Sequence, residues 1–410
     1  MKQYVIIGNG VAATGCIEGI RSIDPEGSIT VISEEKHPVY CRPLISYYLE
    51  KKTDLERMLY RESDYYERMN CSVLYGRKAI RIDNDKKEVE LEDGTVRSYT
   101  SLCLATGSSP FLPAFEGLDT VSEKYSFLTL DDALALEKAI TNTSRVLIIG
   151  AGLIGLKCAE GICERVASVT VCDLADRVLS SILEEDAASI VQHHLESHGL
   201  RFLLGDSVAK FSGGSAQMNS GKTVDFDVLV LAIGVRANTA LLKIAGGDVN
   251  RGILIDSCMH TSIDDVFAAG DCTEGMDISS GEAKVLAILP NAVQQGYTAG
   301  LNMAGKTTSF EKGIPMNSIG FFGLHIMTAG TYEGDVYEEK TENTLKRIYT
   351  KDDLLKGFIL IGGQERAGIL TSMIREKTPL SSVNFEIMKK VATTVAFPAD
   401  IRRKKFGGMV

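Results

Sequence analysis

No run of residues is apolar for long enough to cross a bilayer as a helix, which takes about 20. None of the nine cysteines (Cys16, Cys41, Cys71, Cys103, Cys158, Cys163, Cys172, Cys258 and Cys272) forms a Cys-x-x-Cys pair. Their odd number and scatter argue for reduced thiols and against a disulfide framework, a zinc site or an iron–sulfur cluster. The six histidines show no metal-ligand spacing, and the adjacent His193 and His194 point to different faces of an expected helix. No metal is expected. Positive charge is also short. The formal net charge is −10, which excludes nucleic acid as the main partner because phosphate binding needs a basic face. The first strand begins at about Lys2 and leaves no room for a signal peptide, so a cytoplasmic protein with no membrane association is expected. What remains is ordinary for a globular chain: 44% hydrophobic and 24% charged residues. At 410 residues it is too long for one core, and two or three domains are expected.

The chain opens on a buried-strand pattern, Tyr4-Val5-Ile6-Ile7, followed at once by Gly8-Asn9-Gly10-Val11-Ala12-Ala13, a helical stretch to about Arg21, and a second strand, Ile29-Thr30-Val31-Ile32, ending at Ser33-Glu34. The same order recurs later. Arg145-Val146-Leu147-Ile148-Ile149 leads into Gly150-Ala151-Gly152-Leu153-Ile154-Gly155, then a helix, then Ser168-Val169-Thr170-Val171-Cys172 ending at Asp173. Each is a strand–helix–strand unit, and the repeat predicts two dinucleotide-binding domains built alike. Asp93-Gly94 and Ser220-Gly221-Lys222 mark hairpins. Each hairpin precedes an apolar strand that ends in a glycine turn, at Thr106-Gly107 and at Gly234. From Pro315 onward the pattern becomes antiparallel strands with helices. The expected fold class is α/β, two Rossmann-like domains plus a C-terminal α+β domain. The expected boundaries are 1–112 with 245–312 for a discontinuous first domain, 113–244 for the second, and 313–410 for the third.

The glycines have a physical reason. A pyrophosphate must approach the backbone closely. The first glycine allows the tight turn, the second removes the Cβ that would block the phosphate, and a small third residue lets the helix pack on the strand. Gly150, Gly152 and Gly155, with Leu153 and Ile154 opening the helix, satisfy this pattern; Gly8, Gly10 and Ala13 satisfy it with alanine at the third place. Glu34, 26 residues beyond Gly8, and Asp173, 23 beyond Gly150, are candidates to bond ribose hydroxyls. An acid at Asp173 repels a 2′-phosphate and favours NAD over NADP.

Thr261-Ser262-Ile263-Asp264-Asp265-Val266-Phe267-Ala268-Ala269-Gly270-Asp271 resembles the late FAD motif of the flavoprotein reductases with two dinucleotide domains, and Ala105-Thr106-Gly107 resembles their mid-chain signature. The stretch Pro38 to Ser46, with Cys41, Arg42 and Pro43, is similar to one shared by NADH:rubredoxin reductases, ferredoxin reductases and nitrite reductase flavin domains. Leu289-Pro290-Asn291-Ala292 and Ile319-Gly320-Phe321-Phe322-Gly323 extend the match to about Leu380. The resemblance implies a glutathione-reductase-like, three-layer fold. It implies FAD at the first loop, with Gly270 and Asp271 reaching the ribityl chain, and NADH at the second, near Gly234. A helix starting near Asn291 is expected to aim its positive end at the flavin. The implied reaction passes a hydride from nicotinamide C4 to flavin N5, with Arg42 and Lys157 as the residues beside the reacting rings.

Two departures matter. Glutathione-reductase relatives carry Cys-x4-Cys after the second strand, whereas residues 35–60 hold only Cys41. Relatives with a single redox cysteine place it at the position of Tyr47. The expected acceptor is therefore external, a small iron–sulfur protein such as rubredoxin or ferredoxin. The alternatives are thiol, disulfide or oxygen reduction through Cys41, its pKa lowered by Arg42, and a role as the NAD-docking flavin subunit of a larger electron-transfer complex. The second departure is Lys157, where many relatives carry Glu. It sets two cations, Lys157 and Arg42, near the flavin unless the helix is turned so that Lys157 reaches solvent. The segment from Arg375 to Val410 holds eight Lys/Arg against three Asp/Glu, including Arg402, Arg403, Lys404 and Lys405. It is either a solvated tail or a docking patch for an acidic carrier. A homodimer is left open.

Overall fold

The computed structural model describes residues 2–363 and 366–406. The chain divides into two compact units: residues 1–174, 200–276 and 283–311 form the first, and 175–199, 277–282 and 312–410 the second.

The first unit contains two five-stranded parallel sheets of the same design. In one, the strands run in the order Val266–Ala268, Ser101–Leu104, Gln3–Ile7, Ser28–Ser33, Cys71–Tyr75. In the other, the order is Lys124–Ser126, Val228–Leu231, Arg145–Ile149, Ser168–Asp173, Arg201–Leu204. Parallel sheets are covered on both faces, so their strands are continuously apolar. Alternation divides them accordingly: Tyr4 and Ile6 enter one core cluster, Val5 and Ile7 the other. In each half a three-stranded antiparallel sheet precedes the fourth strand, turning at Gly94 (φ +81°) and Gly221 (φ +84°). The chain leaves the first sheet after Leu104, builds the second, and returns at Val266 to complete the first.

The second unit is built on a five-stranded antiparallel sheet in the order Met316–Phe321, Leu324–Gly330, Leu354–Ile361, Leu345–Lys351, Asp335–Lys340. The helices Ala367–Arg375 and Phe385–Lys390 cover an apolar cluster that includes Phe358, Leu370, Met388 and Phe397. The helix Glu185–Ser197 belongs to this unit. Through it, Glu184 and Asp186 reach Arg347, which donates from Nη1 to Glu184 Oε2 at 2.6 Å and from Nη2 to Asp186 Oδ2 at 2.7 Å, and also pairs with Glu338. The last helix, Ala399–Phe406, carries Arg403 and Lys404 exposed; residues 407–410 and the side chain of Lys405 lie outside the described residues. Among the described residues no helix is long and apolar enough to cross a membrane.

Candidate functional site

Both glycine loops have the geometry their spacing predicts. Gly8 has φ +109° and Gly150 φ +118°, a region that costs other residues dearly. A Cβ at Gly8 would run into the Ala105 carbonyl, and one at Gly150 into that of Ala232, because the fourth strand of each sheet ends against the turn. The second glycines behave differently. A Cβ at Gly10 or at Gly152 would meet nothing within 4 Å. Each stands in extended conformation at the N-cap of its helix, Val11–Arg21 and Leu153–Ile162, and neither helix has an acid in its first turn. Open space over a helix N-terminus with no acid in its first turn is the cradle a pyrophosphate needs. The third position explains the sequence difference: a Cβ at Gly155 would strike the Gly150 carbonyl, while Ala13 is accommodated and fully buried.

The acids at the strand ends are not equivalent. Gly8 N–H donates to Ile32 O (2.8 Å) and Gly150 N–H to Cys172 O (2.7 Å), so Ser33 is the structural counterpart of Asp173 and Glu34 stands one residue further on. Asp173 turns back over its loop, its Oδ2 accepting from Ala151 N–H at 2.6 Å. The Glu34 side chain is 71% exposed and bonds Lys78 at 2.9 Å.

A third helix, Leu289–Met303, begins two residues before Asn291, which is buried in its first turn. It runs parallel to Val11–Arg21 in near backbone contact. A Cβ at Gly15 would meet Val293 O and one at Gly19 Tyr297 O; one at Gly296 would meet Ala12 O and one at Gly300 Cys16 O. Because these contacts advance together along both helices, the two N-termini lie at the same end. Gly270 (φ +85°) sits between them, where a Cβ would lie 2.9 Å from Ala12 Cβ and 3.5 Å from that of Ala292; its N–H donates to Gln295 Oε1 at 2.8 Å. Next to it, burial pushes the Asp271 carboxyl up, opposed by the nearby Arg42. Thr106 and Asn238 bond each other twice at 2.8 Å, fixing the Ala105-Thr106-Gly107 turn to the strand after Gly234.

Arg42 is not a bare cation. Its Nη2 donates to Glu35 Oε1 at 2.7 Å and its Nη1 to Leu128 O at 2.9 Å. Glu35 also accepts from Tyr40 Oη (2.7 Å), which in turn accepts from Leu130 N–H (2.9 Å). Burial pulls the Arg42 guanidinium down, but Tyr40 and Glu35 more than offset it and the net shift is upward. Pro43 follows in a single 3₁₀ turn, Arg42–Leu44. Lys157 does not reach free solvent. Its side chain is 17% exposed, pairs with the buried Glu160 one turn on, and lies 4.7 Å from the centre of the Tyr47 ring. Tyr47 belongs to the helix Ile45–Leu49, against which the Leu153–Ile162 helix packs so closely that a Cβ at Gly161 would stand 2.9 Å from Ser46 O.

Two sequence expectations are thereby corrected. Arg42 and Lys157 each have a carboxylate partner, Glu35 and Glu160, so they do not set two uncompensated cations side by side. Cys41 is not activated by its neighbour: burial raises its thiol pKa, a hydrogen bond from Leu44 N–H offsets this only in part, and the Arg42 fork is spent on Glu35 and Leu128. The sequence alone assigns no role to Glu35, Tyr40, Glu160 or Asn238; Tyr40 lies in the Pro38 to Ser46 stretch, and Glu160, spaced i, i+3 from Lys157, has a readable signal.

The chain is similar to known proteins over most of its length. Residues 2–296 match the model of the pyridine nucleotide-disulphide oxidoreductases. The chain is 32% identical over 395 residues to the NADH-dependent phenylglyoxylate dehydrogenase subunit epsilon of Aromatoleum evansii, covering 92% of this chain and 93% of that one. It is 30% identical over 405 residues to an NADH oxidase of Methanocaldococcus jannaschii, covering 90% of each. It spans about half the length, 48%, of the nitrite reductase [NAD(P)H] of Bacillus subtilis. Among solved structures, putidaredoxin reductase in its covalent complex with putidaredoxin shares the fold at a TM-score of 0.87 and 24% identity, covering 95% of both chains.

Proposed function

The chain belongs to the pyridine nucleotide-disulphide oxidoreductase family and is an NAD(P)H-dependent flavoprotein oxidoreductase using FAD and NAD; from that footing we propose that it oxidises NADH and hands the electrons to an external carrier, a small iron–sulfur protein. The observation that carries the external acceptor is Cys41. It is the only thiol between residues 35 and 60, and burial raises its pKa, which disfavours thiol relay or oxygen reduction through it.

We assign FAD to residues 1–112 and 245–312, with Gly8, Gly10 and Ala13 under its pyrophosphate. Asp271, Gly270, the Ala105-Thr106-Gly107 turn, Arg42, Pro43 and Asn291 line its remaining length. Glu34 is assigned to the ribose, for which it exchanges its Lys78 partner. NADH is assigned to residues 113–244, with Gly150, Gly152, Leu153, Ile154 and Gly155 at the pyrophosphate, Asp173 at the ribose and Gly234 at the far wall. Bound FAD supplies the exchange between two-electron and one-electron chemistry. The chain's own work is placement: the parallel N-termini of Val11–Arg21 and Leu289–Met303 favour negative charge where they meet, and Arg42 and Lys157 position the two halves of the site while their acids cancel their charge. The C-terminal segment 313–410, with Arg403 and Lys404 exposed, is assigned to carrier docking.

Anaerobic reduction with NADH followed by single candidate carriers tests this reading. Fast flavin reoxidation by an iron–sulfur carrier, unchanged in Cys41→Ser, is expected. Turnover that vanishes with Cys41→Ser would reverse the assignment. A second reading, a flavin subunit of a larger dehydrogenase, is favoured by the end-to-end likeness to a subunit named epsilon. Copurification of the chain with partner subunits at fixed stoichiometry distinguishes it.

A further inference from the structure

Asp256, Cys258 and His260 stand in the loop that leads toward the Val266–Ala268 strand, and one ligand atom from each lies within 4.8 Å of the other two. The loop is firmly held. Met259 at its centre is buried and has φ +69°; its carbonyl accepts from Ala268 N–H at 3.1 Å. With Met259 anchored inward, the residues on either side of it turn outward. Asn302 Nδ2 donates to Cys258 O at 3.0 Å, and Ser257 O accepts from Phe310 N–H at 2.8 Å. Asp256 Oδ1 accepts from the N–H groups of Cys258 (2.9 Å) and His260 (2.8 Å), which aims Oδ2 at His260 Nδ1, 3.0 Å away. The His260 ring rests on Phe267, centroids 4.7 Å apart.

We propose that Asp256, Cys258 and His260 form a binding site for a divalent transition-metal ion, zinc fitting best. A thiolate, an imidazole nitrogen and one carboxylate oxygen are the donors of borderline ions and exclude calcium and magnesium, which take oxygen alone. Tetrahedral zinc with bonds of about 2.0–2.3 Å needs ligand atoms about 3.3–3.7 Å apart. The Asp256–His260 pair, 3.0 Å apart, opens slightly and the wider separations, up to 4.8 Å, close by about an ångström, which half-exposed groups do by small rotations. Three protein ligands leave the fourth position to water. Binding displaces the Cys258 thiol proton and the hydrogen bond between His260 Nδ1 and Asp256. The residues stand at i, i+2 and i+4, and the turn at Met259 brings them together. The site is independent of the flavin and nicotinamide assignments. By binding only the folded loop, the ion stabilises the approach to Gly270 and Asp271.

The test uses the full-length, FAD-loaded protein after chelator treatment. Cobalt(II) alone is titrated in, its ligand-field bands read to the red of the flavin, and zinc is then added to displace it. One equivalent bound with thiolate-like intensity is expected, with Cys258→Ser and His260→Ala each weakening zinc binding more than about tenfold. Zinc should also slow alkylation of Cys258 in the parent and not in His260→Ala. His260 is exposed, so that variant decides the matter even if Cys258→Ser folds poorly. No uptake by the parent, or equal uptake by parent and His260→Ala, overturns the proposal.

Discussion

Arg42 donates to Glu35 Oε1 at 2.7 Å and to the Leu128 carbonyl at 2.9 Å, so one guanidinium ties the segment after the second strand of the first sheet to the stretch entering the Leu130–Ala139 helix. Glu35→Gln removes the carboxylate to which that guanidinium is bonded and leaves only the weaker influence of Asp271 to offset it. The flavin midpoint potential should rise by ~20 mV, about 1 kcal/mol for a two-electron couple. A redox titration that finds parent and variant equal counts against Arg42 lying beside the flavin.

Lys157 and Glu160 are both largely buried and paired, and breaking a buried ion pair from one side is costly. Glu160→Gln should destabilise the protein by about 3 kcal/mol, while Lys157→Met with Glu160→Gln should regain most of that loss. Denaturant melts of the four members of the cycle measure it. A double variant no more stable than Glu160→Gln alone would show that the two side chains are not coupled.

The two loops should fail separately. Gly10→Val fills the open space over the first helix N-terminus, and the protein should purify without flavin. Gly152→Val should keep its flavin yet lose NADH affinity by more than about tenfold. Flavin content and NADH binding, measured on both variants, check the pairing; flavin lost from Gly152→Val instead would exchange the two assignments.

Asp173 Oδ2 is held over the second loop by Ala151 N–H. Asp173→Ala removes the charge that repels a 2′-phosphate. The ratio of kcat/KM for NADH to that for NADPH should fall at least about tenfold. A ratio that stays put means another residue sets the preference.

Asp186 is held well below the usual carboxylate range, chiefly by its hydrogen bond with Arg347. A carboxylate with a lowered folded-state pKa adds stability that is fully present above its unfolded value, about 3.9, and disappears as pH falls through the folded value. The gap in Tm between the parent and Asp186→Asn should be widest near neutral pH and close progressively below about pH 4. A gap independent of pH would mean that charge is not what Asp186 contributes.

Much of this was legible in the chain because it rests on local rules. Gly8, Gly10, Gly150, Gly152 and Gly155 declare a turn and an approach that only glycine permits, and the repeated strand–helix–strand order declares the duplicated sheets. What was not legible depends on contacts distant in sequence. Cys41 and Arg42 are neighbours, which suggested activation, yet the guanidinium spends its donors on Glu35 and Leu128 while burial governs the thiol. Glu34 and Glu35 are equally acidic in a string of letters; only the fold turns one toward Lys78 and the other toward Arg42. Residues 175–199 group with the C-terminal sheet, where Glu184 and Asp186 meet Arg347, and no short-range pattern encodes that. Met388, Ala392, Ala396 and Phe397 are core residues, so docking by the C-terminal segment is tested by reversing the charge of the exposed Arg403 and Lys404 and not by deleting the segment.

The strand Val266–Ala268 closes the first sheet, although the whole second sheet precedes it in the chain. During synthesis the ribosome therefore releases every strand of the second sheet while the first still lacks its edge, Gly270 and Asp271. The later half is thus in a position to mature first, and the amino-terminal half has to wait, half-built, for residues some 160 positions downstream of its fourth strand. If the first loop takes FAD and the second NAD, as proposed, a nascent chain arrested before Val266 is expected to bind nicotinamide dinucleotide but no flavin.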